Sequence, residues 1–134
     1  MLLGIDLGGT KIEGIVLKSR ENPEEIIRHR VDTEEDKGYS QVISNIKSLV
    51  EHIENNINHK FNKLGIGTPG TIDPGSGLLK NSNSQCLNGM PIQKDLSKTL
   101  DKTILIQNDA NCFALAETLL GSVKDQYPNA KNVF

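Results

Sequence analysis

Asp6 and the run Gly8-Gly9-Thr10-Lys11 place a carboxylate, two residues without side chains, a hydroxyl and a cation in one short stretch. That set suits a phosphate. Two glycines let the backbone turn tightly and bring its N–H groups against an anion. Thr10 adds a hydroxyl donor and Lys11 a positive charge. Asp6, at the end of an extended apolar run, is placed to hold a magnesium ion through water. The same residues also read as an ordinary hairpin turn between two apolar runs, and the two readings are compatible.

Two further segments carry candidate chemistry. Asn108 and Asp109 stand just past the continuous apolar run Ile104-Leu105-Ile106. Ligands of open α/β sheets gather outside the carboxyl ends of strands. Asp109 would also open the next helix, whose field favours an ionised carboxylate, although N-capping alone explains either residue. Gly65-Ile66-Gly67-Thr68-Pro69-Gly70 matches G-x-G-x-x-G. A dinucleotide fingerprint needs a helix to begin inside that pattern, and Pro69 and Asp73-Pro74-Gly75 forbid one. The dinucleotide reading is rejected. The segment is either a strand end whose glycines admit a ligand or a loop with several turns. A P-loop motif is absent from the chain.

The elements that must position these residues follow from periodicity. Residues 2–6 and 11–18 read as paired strands, and Ile26 to Val31 as a third with Arg28 and Arg30 on its solvent side. From Tyr39 to Ile57, apolar residues recur at three- and four-residue steps, which predicts a long amphipathic helix. Phe61 to Gly67 is a short strand, and Asp73 to Gly77 a turn. Ile92 to Leu100 suggests a short helix, Ile104 to Ile106 a buried strand. A final helix is expected from Asp109 through Phe113, Ala116 and Leu120. Three strands followed by strand–helix units predict an α/β fold, a mixed sheet with an antiparallel edge and flanking helices.

Composition narrows the partners. A chain of 134 residues fits one domain. Its formal net charge is −2 with both signs interspersed, so neither nucleic acid nor a membrane surface is expected as a partner. No run has transmembrane length and no signal-peptide pattern opens the chain, so the cytoplasm is the expected compartment. Cys86 and Cys112 lack CxxC spacing, and His29, His52 and His59 lack ligand spacing, so no zinc is expected here. His52 and His59 are expected on the polar side of the long helix.

Taken together, these segments resemble the ROK family of bacterial sugar kinases and sugar-responsive repressors. Gly4-Ile5-Asp6-Leu7-Gly8-Gly9-Thr10-Lys11 looks like its first phosphate motif. Gly65 to Gly70 looks like its G-x-G-x-P-G segment, and Asn108-Asp109-Ala110-Asn111-Cys112 like its N-D-A-N catalytic segment. Lys80-Asn81-Ser82-Asn83-Ser84 and Leu87-Asn88-Gly89-Met90-Pro91 are similar to the sugar loop of fructokinase and N-acetylglucosamine kinase members. The resemblance implies an actin-like ATPase (ribonuclease H-like) domain using ATP and magnesium. By it, Gly8, Gly9, Thr10 and Lys11 would meet ATP phosphates, and Asp6 the metal. Asn83 and Asn108 would bind sugar hydroxyls, Gly70 would lie near the sugar, and Asp109 would be the catalytic base.

The resemblance also sets expectations for the whole. Residues 1–134 would be the N-terminal domain of an ATP-dependent hexose kinase, most like a fructokinase. The family continues into a second domain with another glycine-rich ATP loop, more sugar ligands and, in many members, a Cys-rich zinc motif. That domain is expected to be missing here, leaving a chain inactive alone, with the missing domain as its natural partner and a homodimer as one assembly. Two alternatives stand beside this one. A repressor of the family carries a helix-turn-helix before the first phosphate motif, where this chain has only Met1 before its first strand. The other is a truncated remnant that binds sugar or a partner.

Overall fold

A computed structural model describes residues 1–19, 21–68, 70–82 and 84–108, with Gln107 and Asn108 described as backbone only. Strand β1 (Leu2–Leu7) turns back into β2 (Lys11–Leu17), which pairs with β3 (Glu25–Asp32). Helix α1 (Tyr39–Ile57) crosses to β4 (Lys63–Thr68). A small hairpin, β5 (Thr71–Ile72) and β6 (Leu79–Lys80), leads to α2 (Ile92–Leu100) and β7 (Thr103–Asn108). The five-stranded sheet runs β3-β2-β1-β4-β7, with β1, β4 and β7 parallel and the β2–β3 side antiparallel. The mixed sheet with an antiparallel edge expected from the pattern is therefore present.

Side-chain alternation decides which face is dry. Leu3, Ile5 and Leu7 of β1 are fully buried, as are Ile12 and Val16 of β2 and Leu64 and Ile66 of β4. Register aligns them in rows, Ile5 opposite Ile66 and Ile66 opposite Ile106. Onto these rows α1 lays Val42, Ile46, Leu49, Val50 and Ile53, and α2 adds Ile92 and Leu96. Burying each such side chain contributes about 1.5–3 kcal/mol. Gly14 of β2 is part of this fit, because a Cβ there would stand 2.4 Å from Cδ1 of Ile53. The opposite face carries Gly4, Asp6, Glu13 and Gly67, with Asp6 in register with both Glu13 and Gly67.

Strand ends shift by one or two residues, β1 reaching Leu7 and β7 Asn108, and three other differences have a local cause. Phe61 precedes β4 rather than starting it, because its backbone is taken by other partners. Its N–H donates to Glu54 Oε2 at 2.8 Å, and its carbonyl accepts from Lys102 Nζ. The segment after Gly70 is a two-stranded ribbon, too short to show a period of two. His59 lies beyond α1, which ends at Asn58 in the left-handed region, while His52 is on the helix and stacks on His29 of β3 with ring centroids 4.0 Å apart. Arg28 and Arg30 are exposed, as expected, and both pair with Glu13.

Candidate functional site

The three parallel strands β1, β4 and β7 end at one edge of the sheet, at Leu7, Thr68 and Asn108. In open α/β sheets ligands bind outside the carboxyl ends of the parallel strands, which is this edge. Thr68 and Asn108 are in register, and Asp6 and Gly67 lie one step below.

The glycine turn is a hairpin, and it is also open to an anion. Gly8 N–H donates to Lys11 O at 3.0 Å, closing the turn. From the far side, the Thr33 hydroxyl donates to Gly8 O at 2.7 Å and Thr33 N–H to Thr10 O at 2.9 Å. The carbonyls of the turn are thus satisfied by a fully buried threonine at the end of β3. The N–H groups of Gly9 and Thr10 donate to nothing among the described residues, and both residues are exposed. Hairpin closure therefore leaves these two N–H groups available. Lys11 forms an ion pair with Asp32, its cross-strand neighbour, so its ammonium must leave a carboxylate to reach a phosphate.

Gly70 takes φ 103°. A Cβ there would lie 2.5 Å from Lys80 O and 3.1 Å from Ser82 N, so only glycine lets the strand end meet the 80–82 segment. That segment is clamped by Asn88, whose Oδ1 accepts from Ser82 N–H and whose Nδ2 donates to Ser82 O, both at 2.9 Å. Ser84 N–H donates to Ser82 Oγ at 3.1 Å. The result carries Ser84 to the glycine turn: a Cβ built on Gly9 would stand 3.6 Å from Ser84 Oγ.

The structure thus gathers Asp6, Gly8, Gly9, Thr10 and Lys11 at the end of β1, Gly70 beyond the end of β4, and the Asn108 backbone at the end of β7. Asn83 and Asp109 lie outside the described residues. Ser84 and Asn88, from the segments that resemble the sugar loop, join this edge, as do Thr33 and Glu35, which carry no motif of their own. Sequence offers no signal for Thr33 and Glu35 beyond Thr33 following a strand that pairs with β2.

Asp6 supplies a carboxylate beside the turn and keeps polar company of its own. Among the described residues no group of three His, Cys, Asp or Glu side chains could hold a metal. One carboxylate fits magnesium, which keeps several waters and takes other oxygens from phosphates. It does not fit zinc, which needs three or four protein ligands. A recess of about 330 Å³ at the opposite end of β4 and β7 is lined by Glu54, Lys60, Phe61 and Lys102. Its buried Glu54–Lys102 pair, 2.7 Å apart, is spent on itself and on Phe61. Burial pushes the Glu54 carboxyl up, but the bonds from Lys102 and Phe61 outweigh it and hold it below its ordinary value.

A mixed sheet with flanking helices, whose parallel strands end beside a glycine hairpin and an aspartate, is the architecture of an actin-like ATPase domain. The ROK family pattern matches residues 2–129, and the chain belongs to that family. The N-acetyl-D-glucosamine kinase of Mannheimia succiniciproducens is 38% identical over 128 residues, covering 96% of this chain and 40% of that protein. The N-acetyl-D-glucosamine kinase of Vibrio atlanticus is 35% identical, covering 94% and 40%. The ROK hexokinase of Thermus thermophilus superposes with a TM-score of 0.68 at 30% identity, covering 89% of this chain and 38% of that one. The chain thus spans about 40% of the length of the curated relatives it matches. No helix among the described residues is long and apolar enough to cross a membrane.

Proposed function

We propose that the chain is the N-terminal lobe of a cytoplasmic ATP-dependent hexose kinase, which transfers the γ-phosphoryl group of ATP to a sugar hydroxyl. The observation that carries this reading is the pair of N–H donors at Gly9 and Thr10, on exposed residues and without an acceptor among the described residues, while Thr33 bonds the Gly8 and Thr10 carbonyls of the same turn. Two neighbouring exposed backbone donors with no acceptor among the described residues suit an anion. The N-acetyl-D-glucosamine kinases support an N-acetylated hexose as acceptor in preference to the fructose suggested by the sugar-loop resemblance.

Phosphoryl transfer is mostly positioning and charge stabilisation. Gly9 and Thr10 would orient the phosphates. Gly70 and the 82–88 loop would shape the acceptor side, with Asn83 and Asn108 on sugar hydroxyls. Magnesium, held at Asp6 through water, would neutralise phosphate charge when bound. Asp109, next in the chain after the last residue of β7, would orient the acceptor hydroxyl and accept its proton late, when bond formation to phosphorus has made it acidic. The second lobe of the relatives would close over these groups and exclude water.

Titration of nitrogen-15-labelled chain with magnesium-ATP tests the reading. The amides of Gly9 and Thr10 should shift first and furthest. A titration that leaves them unmoved would sink it.

A further inference from the structure

The carboxylate of Glu35 is not used by any role assigned above. Its Oε2 is buried with no hydrogen-bond partner among the described residues. It stands 3.7 Å from the position a Cβ on Gly9 would take, beside Ser84 Oγ at 3.6 Å from the same point. Glu35 also lies close enough to Cys86 for its charge to add to the burial that pushes that thiol up.

The placement is built. Glu34 turns the chain in the left-handed region at φ 59°, an uncommon conformation for a residue with a side chain. Asn45 of α1 fixes this turn, donating through Nδ2 to Thr33 O at 3.0 Å and to Glu34 Oε1 at 2.9 Å. Glu35 is therefore held against the glycine turn by its neighbours while its own inner oxygen finds no donor among the described residues.

A buried acceptor without a donor costs about 1–3 kcal/mol, more when charged. Native proteins rarely keep one without a reason, and a group kept for function is one such reason. A phosphate on the Gly9 and Thr10 N–H groups brings only acceptors and would leave Glu35 Oε2 unpaired. A structural cation would need more oxygen or nitrogen ligands than the described residues assemble. A sugar hydroxyl or an acetamido N–H brings the missing donor. Ser84 beside it can both donate and accept, which suits the mixed valence of a hydroxyl.

We propose that Glu35 is a sugar-binding residue that accepts a hydrogen bond from an O–H or N–H of the acceptor sugar between Gly9 and Ser84. This deepens the kinase reading above and rests on it. It makes Glu35 a specificity residue, because a sugar without a donor there leaves the carboxylate unpaired.

The test titrates the labelled chain with N-acetyl-D-glucosamine and, separately, D-glucose, with chelator present and no nucleotide. The amides of Gly9, Ser84 and Glu35 should shift with the same midpoint. Stronger binding of the acetylated sugar would mark the acetamido N–H as the donor, and equal binding a hydroxyl. Glu35→Ala should weaken that binding at least tenfold. The same variant should keep or raise the melting temperature, because it removes an unsatisfied buried group. Unchanged affinity in the variant, or a fall in melting temperature with a matching loss of binding, overturns the proposal. So does a shift of Glu35 with magnesium alone and not with sugar. Magnesium-ATP moving Gly9 and Thr10 while neither sugar moves Glu35 would defeat this inference and leave the kinase reading standing. Silence of the turn toward both ligands would defeat both.

Discussion

Single residues at the crevice divide into those that must be what they are for the backbone and those that matter to a ligand. Gly70 belongs to the first group. Its φ of 103° and the 2.5 Å approach of Lys80 O leave no place for a side chain. Gly70→Ala should cost about 1–3 kcal/mol, the scale of a strained backbone position, read as a lower midpoint in urea. Gly9 belongs to the second. A methyl there makes only ordinary contacts at 3.6 and 3.7 Å and meets no positive φ. Gly9→Ala should fold within about 0.5 kcal/mol of the parent. It should still lose most of the ATP-induced shift at Thr10, because the methyl fills the approach to the N–H donors. Equal ATP affinity in that variant would return the turn to a plain hairpin. Asp109 carries the proton argument. In an enzyme completed by a second lobe, Asp109→Asn should lower kcat by roughly 10²–10⁴-fold at near-native sugar affinity. An unchanged kcat would reduce Asp109 to a helix cap.

Elements are joined by polar contacts at both ends of the helical layer. The Tyr39 hydroxyl donates to Asp95 Oδ2 at 2.6 Å, linking the start of α1 to α2. Burial first, then this bond and the Asp95 charge, push the Tyr39 phenol far above its ordinary value. At the other end, Glu54 and Lys102 tie α1 to the entry of β7, with side chains only 4% and 8% exposed. Removing one partner of such a pair leaves the other charge buried, and Lys102→Met should cost about 3 kcal/mol near neutral pH. The pH dependence follows from the sign of the Glu54 shift. Its folded value lies below the ordinary 4.5, so its contribution is complete above that pH and lost as pH falls through the folded value. In Lys102→Met burial acts with less opposition and raises the carboxyl, so acid should favour the folded variant. The stability gap between parent and variant should therefore narrow below about pH 4.5 in paired urea titrations. A constant gap down to pH 3 would show that the two groups are not coupled.

For the whole molecule, the parallel strands end at one edge of a single sheet, and the relatives are about 2.4 times as long, since 128 matched residues are 40% of one of them. A single lobe cannot surround nucleotide and acceptor or exclude water from them. The chain alone should give no sugar-dependent ADP release above background with N-acetyl-D-glucosamine, glucose or fructose. Robust turnover would show that one lobe suffices.

Much of this architecture is written locally. The three- and four-residue steps from Tyr39 to Ile57 are α1 to the residue, and Ile92–Leu100 is α2, because a helix exposes its period along the chain. The glycine turn, the failed dinucleotide pattern and the strand before Asn108 are equally readable, since turn chemistry and strand ends depend on neighbours in sequence. The supporting residues are not. Thr33 reaches Gly8 across 25 positions, Tyr39 reaches Asp95 across 56, and Lys102 reaches Glu54 across 48. No spacing rule connects such pairs, because strand register and helix docking bring them together. That is why the glycine turn could be named from Gly8, Gly9 and Thr10, while the threonine that bonds its carbonyls and the glutamate beside it became visible only once the sheet was assembled.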